Sequence, residues 1–374
     1  MRPSPFRSSP LVILFFFALA LGSFVSNFSG MVQTPAGQEG RPEEIPPAAP
    51  GQLVDIGGYR LHLISNGKGR PAVVLIAGSG DFSFDWSLVQ PQVAKFTRVC
   101  AYDRAGEAWS DPGPMPRTMK QEAYELHLLL EKAGIEGPYV LVGHSLGGLI
   151  ARVFAGRYPK EVVGMVLVSA TDPDTTLDYR GKLVRMRELA QGKPVPSEQT
   201  MMTSPPHPPS AAEIQRFQEF QEKFGAPKIR PPYDRLPVPV QALDLWARSR
   251  PPRVAIGEDF WPEELQQLYE DTRQQAYPLG DIPLIVLAPA KEEAPPPDKT
   301  PEEWRRLGEE KRQQRIAQAA LSKNGTVIFD KMSGHHIQLD DPELVVQAIR
   351  KVVEAARTHS RLGISGLRRM NGPY

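Results

Sequence analysis

The run Gly143-His144-Ser145-Leu146-Gly147 sets a serine hydroxyl between two glycines. Such a serine can attack a carbonyl if the chain turns sharply enough to expose its oxygen beside a base. Upstream lies the apolar run Tyr139-Val140-Leu141-Val142, and downstream Gly148-Leu149-Ile150 opens a helical pattern. Ser145 is therefore expected on a strained strand-to-helix elbow, where side chains in place of the flanking glycines would collide with the neighbouring strand and helix. The helix that follows points its first NH groups at the same spot and favours negative charge there.

A nucleophilic serine also needs a base and donors for the oxyanion. The chain has seven histidines: His62, His127, His144, His207, His335, His336 and His359. In this strand-turn-helix architecture the base comes last, on a loop after the final strand, and Met332-Ser333-Gly334-His335-His336 follows the apolar run Thr326 to Phe329. His335 is the expected base, His336 is the neighbour that could take its place, and His144 reads as a packing residue. The expected oxyanion donors are the backbone NH of Leu146 and that of Ser79, in the early turn Gly78-Ser79-Gly80. Two carboxylates keep the order serine, acid, histidine: Glu292, after the run Ile282 to Ala288, and Asp172, after Met165 to Val168. Glu292 is favoured and Asp172 is the alternative. No metal-ligand cluster or glycine-rich nucleotide loop is legible, so no cofactor is expected.

The elements that must position these groups follow from periodicity. A hairpin is expected around Gly57-Gly58. Continuous apolar runs recur at Pro71 to Ala77, Val99 to Tyr102, Tyr139 to Val142, Met165 to Val168, Ile282 to Ala288 and Thr326 to Phe329, the texture of strands buried on both faces. Helical spacing separates them at Met119 to Lys132, Leu149 to Tyr158 and Pro342 to Ala356. The alternation predicts an α/β fold with a mostly parallel sheet and helices on both faces. Residues 52–174 and 279–357 form this core. Residues 175–278 show no convincing strand but amphipathic stretches, and are expected to insert as a helical cap. Residues 358–374, rich in Arg and Gly, are expected to form a disordered tail.

Arg2 and Arg7 precede an apolar stretch from Leu11 to about Val25, so residues 1–28 are expected to be a signal peptide or a membrane anchor. Residues 29–51 then read as a Pro/Gly-rich linker. The chain is expected to be membrane-anchored by this segment, or exported if it is cleaved. Among 374 residues, 44 Lys plus Arg nearly balance 43 Asp plus Glu, which leaves no positive field for nucleic acid. The single cysteine, Cys100, cannot form an intramolecular disulfide.

Together these residues resemble the α/β-hydrolase superfamily over residues 52 to 355, in its serine-nucleophile branch. Tyr102 to Asp111 is similar to the family's D-x-R-G-x-G-x-S turn, and Gly334-His335 with Leu339 and Asp341-Pro342-Glu343 is similar to its closing segment. Ala77 stands where a histidine often precedes the oxyanion glycine, and Glu107 where glycine or a large apolar residue is common. The family's epoxide hydrolases and haloalkane dehalogenases carry aspartate at the elbow, so Ser145 argues against both chemistries. The resemblance implies a carboxylesterase-like serine hydrolase cleaving a small-molecule ester through an acyl-enzyme. Its rivals are a non-catalytic, membrane-tethered binding protein on the same scaffold, and an acyltransferase or haloperoxidase using the same triad.

Overall fold

The apolar runs become strands of one eight-stranded sheet. The computed structural model describes residues 46–363 apart from 180–181, 193–194, 251–260, 276–277 and 297. Its strands are β1 (Gln52–Asp55), β2 (Arg60–Asn66), β3 (Ala72–Ile76), β4 (Val99–Tyr102), β5 (Tyr139–His144), β6 (Val162–Val168), β7 (Thr176–Tyr179), β8 (Lys182–Arg185), β9 (Leu284–Pro289) and β10 (Gly325–Asp330). Its helices are α1 (Gln90–Val93), α2 (Met119–Lys132), α3 (Leu146–Arg157), α4 (Glu198–Thr203), α5 (Ala211–Phe224), α6 (Val238–Arg248), α7 (Pro262–Gln274), α8 (Pro301–Ala319), α9 (Ile337–Asp340) and α10 (Pro342–Thr358).

The large sheet runs β1-β2-β4-β3-β5-β6-β9-β10. β2 pairs antiparallel with β1 through the expected hairpin and antiparallel with β4, and the pairings from β4–β3 to β9–β10 are all parallel. Alternation along β5 explains the two helical layers. Leu141 faces a cluster with Leu126 and Leu130 of α2 and Ile150 and Phe154 of α3. Val140 and Val142 face Val345, Ile349, Val352 and Val353 of α10. Full burial of such a side chain stabilises the fold by about 1.5–3 kcal/mol. Because β5, β6 and β10 are parallel, the loops at their carboxyl ends emerge at one edge, where sites in open α/β sheets assemble.

The insertion after β6 is not purely helical. Residues Thr176–Tyr179 and Lys182–Arg185 pair antiparallel as a separate two-stranded sheet. Charged residues in the alternation hide this hairpin from a hydrophobic pattern, and the fold ties it down through the Arg185–Asp174 ion pair and buried Met186. Further along the insertion, α7 buries Leu265 and sends the Glu264 carboxylate to the start of α2, where it accepts from Met119 N at 2.6 Å and Lys120 N at 3.1 Å. Burial outweighs those two hydrogen bonds and pushes the Glu264 pKa up to about 7 from 4.5. The folded state therefore binds this proton more tightly than the unfolded chain, so stability is lost as pH rises from 4.5 through about 7. Glu264→Gln should remove that part of the slope: Tm compared across this window should fall less steeply with pH in the variant than in the wild type.

At the end of α10 the chain does not leave the body at once. Leu362 N donates to Asn324 Oδ1 at 2.9 Å, and Asn324 Nδ2 donates to Ser360 O at 3.2 Å, so the start of the expected tail docks on the turn before β10. The last residues of the expected linker are pinned too, with Trp109 Nε1 donating to Pro47 O at 2.8 Å. Residues 1–28, the rest of the linker up to 45, and 364–374 lie outside the described residues. Among the described residues, no helix is long and apolar enough to cross a membrane.

Candidate active site

Ser145 follows β5 directly and starts α3, with φ 50° and ψ −118°. A non-glycine residue held there is strained by roughly 1–3 kcal/mol. Three hydrogen bonds keep it in place: Ser145 N to Val168 O at 3.2 Å, Thr171 N to Ser145 O at 3.0 Å, and Gly148 N to Ser145 O at 3.0 Å. The flanking glycines are required by contact, since a Cβ on Gly143 would overlap the Gly147 carbonyl and one on Gly147 would overlap the Ile76 carbonyl.

The turn holding Ser79 abuts this elbow: a Cβ added to Gly78 would stand 3.1 Å from Ser145 Cβ. Arg104 fixes the turn from below, donating through Nη1 to Ala77 O at 2.8 Å and Gly78 O at 2.7 Å. Ser79 on that turn and Leu146, the first residue of α3, thus flank the serine.

His335 lies on the loop after β10, its side chain accessible to solvent though densely surrounded. Its Nδ1 is 2.9 Å from Ser169 Oγ, and its backbone oxygen accepts from His144 Nε2 at 3.1 Å. Ser169 comes directly after Val168, the residue that holds the Ser145 backbone. The structure therefore gathers Ser145, Ser169 and His335 at one edge. The Ser145 hydroxyl lies 3.4 Å from Thr171 Oγ1 in this rotamer, and among the described residues no hydrogen bond joins it to His335. Crowding of the ring by protein atoms, with the charges His144 and His336 can carry, holds the His335 pKa well below 6.5.

Neither expected carboxylate is hydrogen-bonded to His335. Glu292 is exposed, although the segment after β9 runs beside the loop of His335, with Ala290 N bonded to Asp330 O and Lys291 N to Ser333 O. Asp172 turns back on its own loop, accepting from Asp174 N at 2.9 Å and from Gln318 Nε2 at 3.3 Å, and burial raises its pKa. Ser169, with φ 45°, is the residue the turn after β6 aims at the imidazole. Sequence reasoning missed it, since a lone serine after a strand has no signature of its own.

A second group was also illegible. Asp81, His144 and His336 bring their ligating atoms within 4.8 Å of one another, although nothing in their spacing announces it. They form a hydrogen-bonded network: His144 Nδ1 lies 3.0 Å from Asp81 Oδ2, Tyr233 OH donates to Asp81 Oδ1 at 2.8 Å, and His336 Nε2 is 2.8 Å from the same phenol. The Arg248 guanidinium stands 3.7 Å from Asp81 Oδ1, so a cation already serves this carboxylate. Burial would raise the Asp81 pKa, but the hydrogen bonds and charges of His144 and His336 prevail and hold it well below 3.8. Tyr233 and Arg248 belong to the insertion, so the network fastens it to the turn that carries Ser79 and Asp81 and to the loop of His335.

This sheet, with an elbow serine after its fifth strand and a histidine after its last, defines an α/β-hydrolase. A model described as the alpha/beta hydrolase family matches residues 73–348; the chain belongs to that family. It is 24% identical over 293 residues to an AB hydrolase superfamily protein of Gibberella zeae, covering 77% of this chain and 88% of that one. It is 26% identical over 330 residues to a probable transporter of Hormonema carpetanum, spanning 81% of this chain but 42% of that protein. Among solved structures, a thermophilic esterase from Thermogutta terrifontis shares the fold, with a TM-score of 0.52, 19% identity, and coverage of 80% of this chain and 94% of that one.

Proposed function

We propose that the chain is a serine hydrolase of carboxylic esters. The observation that carries this reading is the strained elbow, which sets Ser145 at the same sheet edge as a histidine whose Nδ1 is engaged by Ser169. With Nδ1–H donated to Ser169 Oγ, the Nε2 lone pair of His335 is free to take the Ser145 proton after rotation of the serine about χ1. Ser145 Oγ adds to the ester carbonyl, and the NH groups of Ser79 and Leu146 receive the oxyanion. The His335 proton passes to the leaving alkoxide, and water, activated by the same imidazole, releases the acid.

A hydroxyl orients the imidazole but stabilises its cation less than a carboxylate does. That agrees with the depressed pKa of His335. The base is protonated only below its pKa, so the acid limb of kcat/KM should lie below pH 6.5. Ser169→Asp should move that limb upward, and Ser169→Ala should lower kcat by about tenfold, the loss of one orienting hydrogen bond. A limb unmoved by Ser169→Asp would remove Ser169 from this role.

Residues 175–278 act in this reading as a cap, and residues 1–28 deliver the enzyme to a membrane or across it. Hydrolysis of p-nitrophenyl butyrate by the full chain, with an acyl adduct trapped by mass spectrometry, tests the reaction. One observation favours a non-catalytic binding protein instead: Ser145 Oγ faces Thr171, and His335 has no carboxylate partner among the described residues. That reading requires a folded chain that turns over no ester. Acyltransferase or haloperoxidase chemistry would change only the acceptor, and product analysis with an added alcohol or peroxide separates them.

A further inference from the structure

We propose that the site at Ser145 selects esters that carry a carboxylate, and that the Arg315 guanidinium receives it; this rests on the hydrolase reading above. Helix α8 is fastened to the loop that follows β6. Gln318 Nε2 donates to Ala170 O, Thr171 O and Asp172 Oδ2, each at 3.3 Å, and Gln314 Nε2 donates to Asp174 O at 2.9 Å. Thr171 is the residue whose hydroxyl meets Ser145 Oγ, so this face of α8 forms a wall beside the nucleophile. Arg315 stands on it, one turn after Lys311.

The guanidinium has five N–H donors. Nη1 donates to Gln318 Oε1 at 3.2 Å, and among the described residues no carboxylate lies within 4.0 Å of Arg315 or Lys311. The nearby acids are engaged elsewhere. Asp172 lies between the fields of Arg315 and Arg152, Glu310 accepts from Thr176 Oγ1 at 2.6 Å and faces Arg185, and Glu293, though exposed, acts on Lys311 and would stand 3.5 Å from a Cβ on Gly334. Glu293 and Glu310 bear on Lys311, so Asp172 alone faces the two arginines Arg315 and Arg152, which leaves net positive charge beside it. Burial pushes the Arg315 pKa down to about 10, and the attraction of Asp172 does not make up the loss. The same cation helps to lower the pKa of His335, which places it within electrostatic reach of the base. A half-buried guanidinium with donors open to an incoming group beside a reacting centre is matched by a substrate carboxylate, which it can grip through two parallel hydrogen bonds.

The test compares monoethyl glutarate with ethyl pentanoate, which share acyl length and differ in the terminal charge. Acid release by the full-length enzyme is measured for both, and calorimetric binding of monoethyl glutarate is measured on Ser145→Ala. The wild type should favour the glutarate ester by about 10- to 100-fold in kcat/KM, the span expected of hydrogen bonds to a charged group. Arg315→Gln should abolish that preference while changing ethyl pentanoate hydrolysis by no more than about threefold, and should weaken binding in the Ser145→Ala background by a factor similar to the lost preference. Arg315→Lys should restore part of both. Equal turnover of the two esters by the wild type, or an equal loss on both in Arg315→Gln, overturns the proposal. If neither ester is hydrolysed yet monoethyl glutarate binds through Arg315, the hydrolase reading fails and the anion site stands. If both are hydrolysed without charge preference, the reverse holds; if there is neither turnover nor Arg315-dependent binding, both fail.

Discussion

Ser145→Ala should lower turnover of a p-nitrophenyl ester by about 10⁶, the loss that follows when the nucleophile is taken from a working triad. Folding should be nearly unchanged, because the backbone of the elbow is held by Val168, Thr171 and Gly148 rather than by the hydroxyl. Alanine also tolerates the left-handed conformation little better or worse than serine, so the strain at φ 50° is the same in both. Activity within about tenfold of the wild type would mean that another group attacks the ester.

His335→Ala should cost about as much, near 10⁶, because nucleophile and base act as one unit. The informative control is His336→Ala. His336 meets Tyr233 OH at 2.8 Å and stands 3.7 Å from Asp81, so its loss loosens the link between the insertion and the turn after β3 without removing the proposed base. About a tenfold fall in kcat is expected, one hydrogen bond's worth. Steady-state kinetics on the two variants decide between the neighbours. If His336→Ala is the more damaging, the base has been assigned to the wrong ring.

Much of the scaffold was legible because its signals are local. The run Tyr139 to Val142 is apolar on both faces since β5 sits between β3 and β6 under helices on each side. The glycines around Ser145 are legible for the same reason, as each is demanded by backbone within a few ångströms. The partner of the histidine was not legible, because it depends on where the chain points after β6. Ser169 turns at φ 45° and offers its hydroxyl to His335, while Asp172, three residues on, folds back towards Gln318. Glu292 sits in the loop that an acid would be expected to use, beside the loop of His335, but the residue is exposed and, among the described residues, makes no hydrogen bond to the imidazole. Asp81, His144 and His336 are scattered along the chain and meet only because β3, β5 and β10 end at one sheet edge, where the insertion adds Tyr233. The hairpin β7–β8 escaped for a simpler reason: its charged residues suppress the hydrophobic alternation that announces a strand.

Arg104 links the family's turn after β4 to the turn after β3. Its guanidinium holds the carbonyls of Ala77 and Gly78, which sets the direction of the peptide groups leading to Ser79. The buried ion pairs of Arg117 with Glu125 at 2.5 Å and of Arg104 with Glu122 at 3.4 Å support this region from behind.

The most direct measurement is to treat the full-length protein with a fluorophosphonate and locate the adduct by peptide mass spectrometry. A single phosphonyl group on Ser145, absent in Ser145→Ala, is the predicted result. An adduct on another residue, or a folded protein that hydrolyses esters yet leaves Ser145 unmodified, would contradict it.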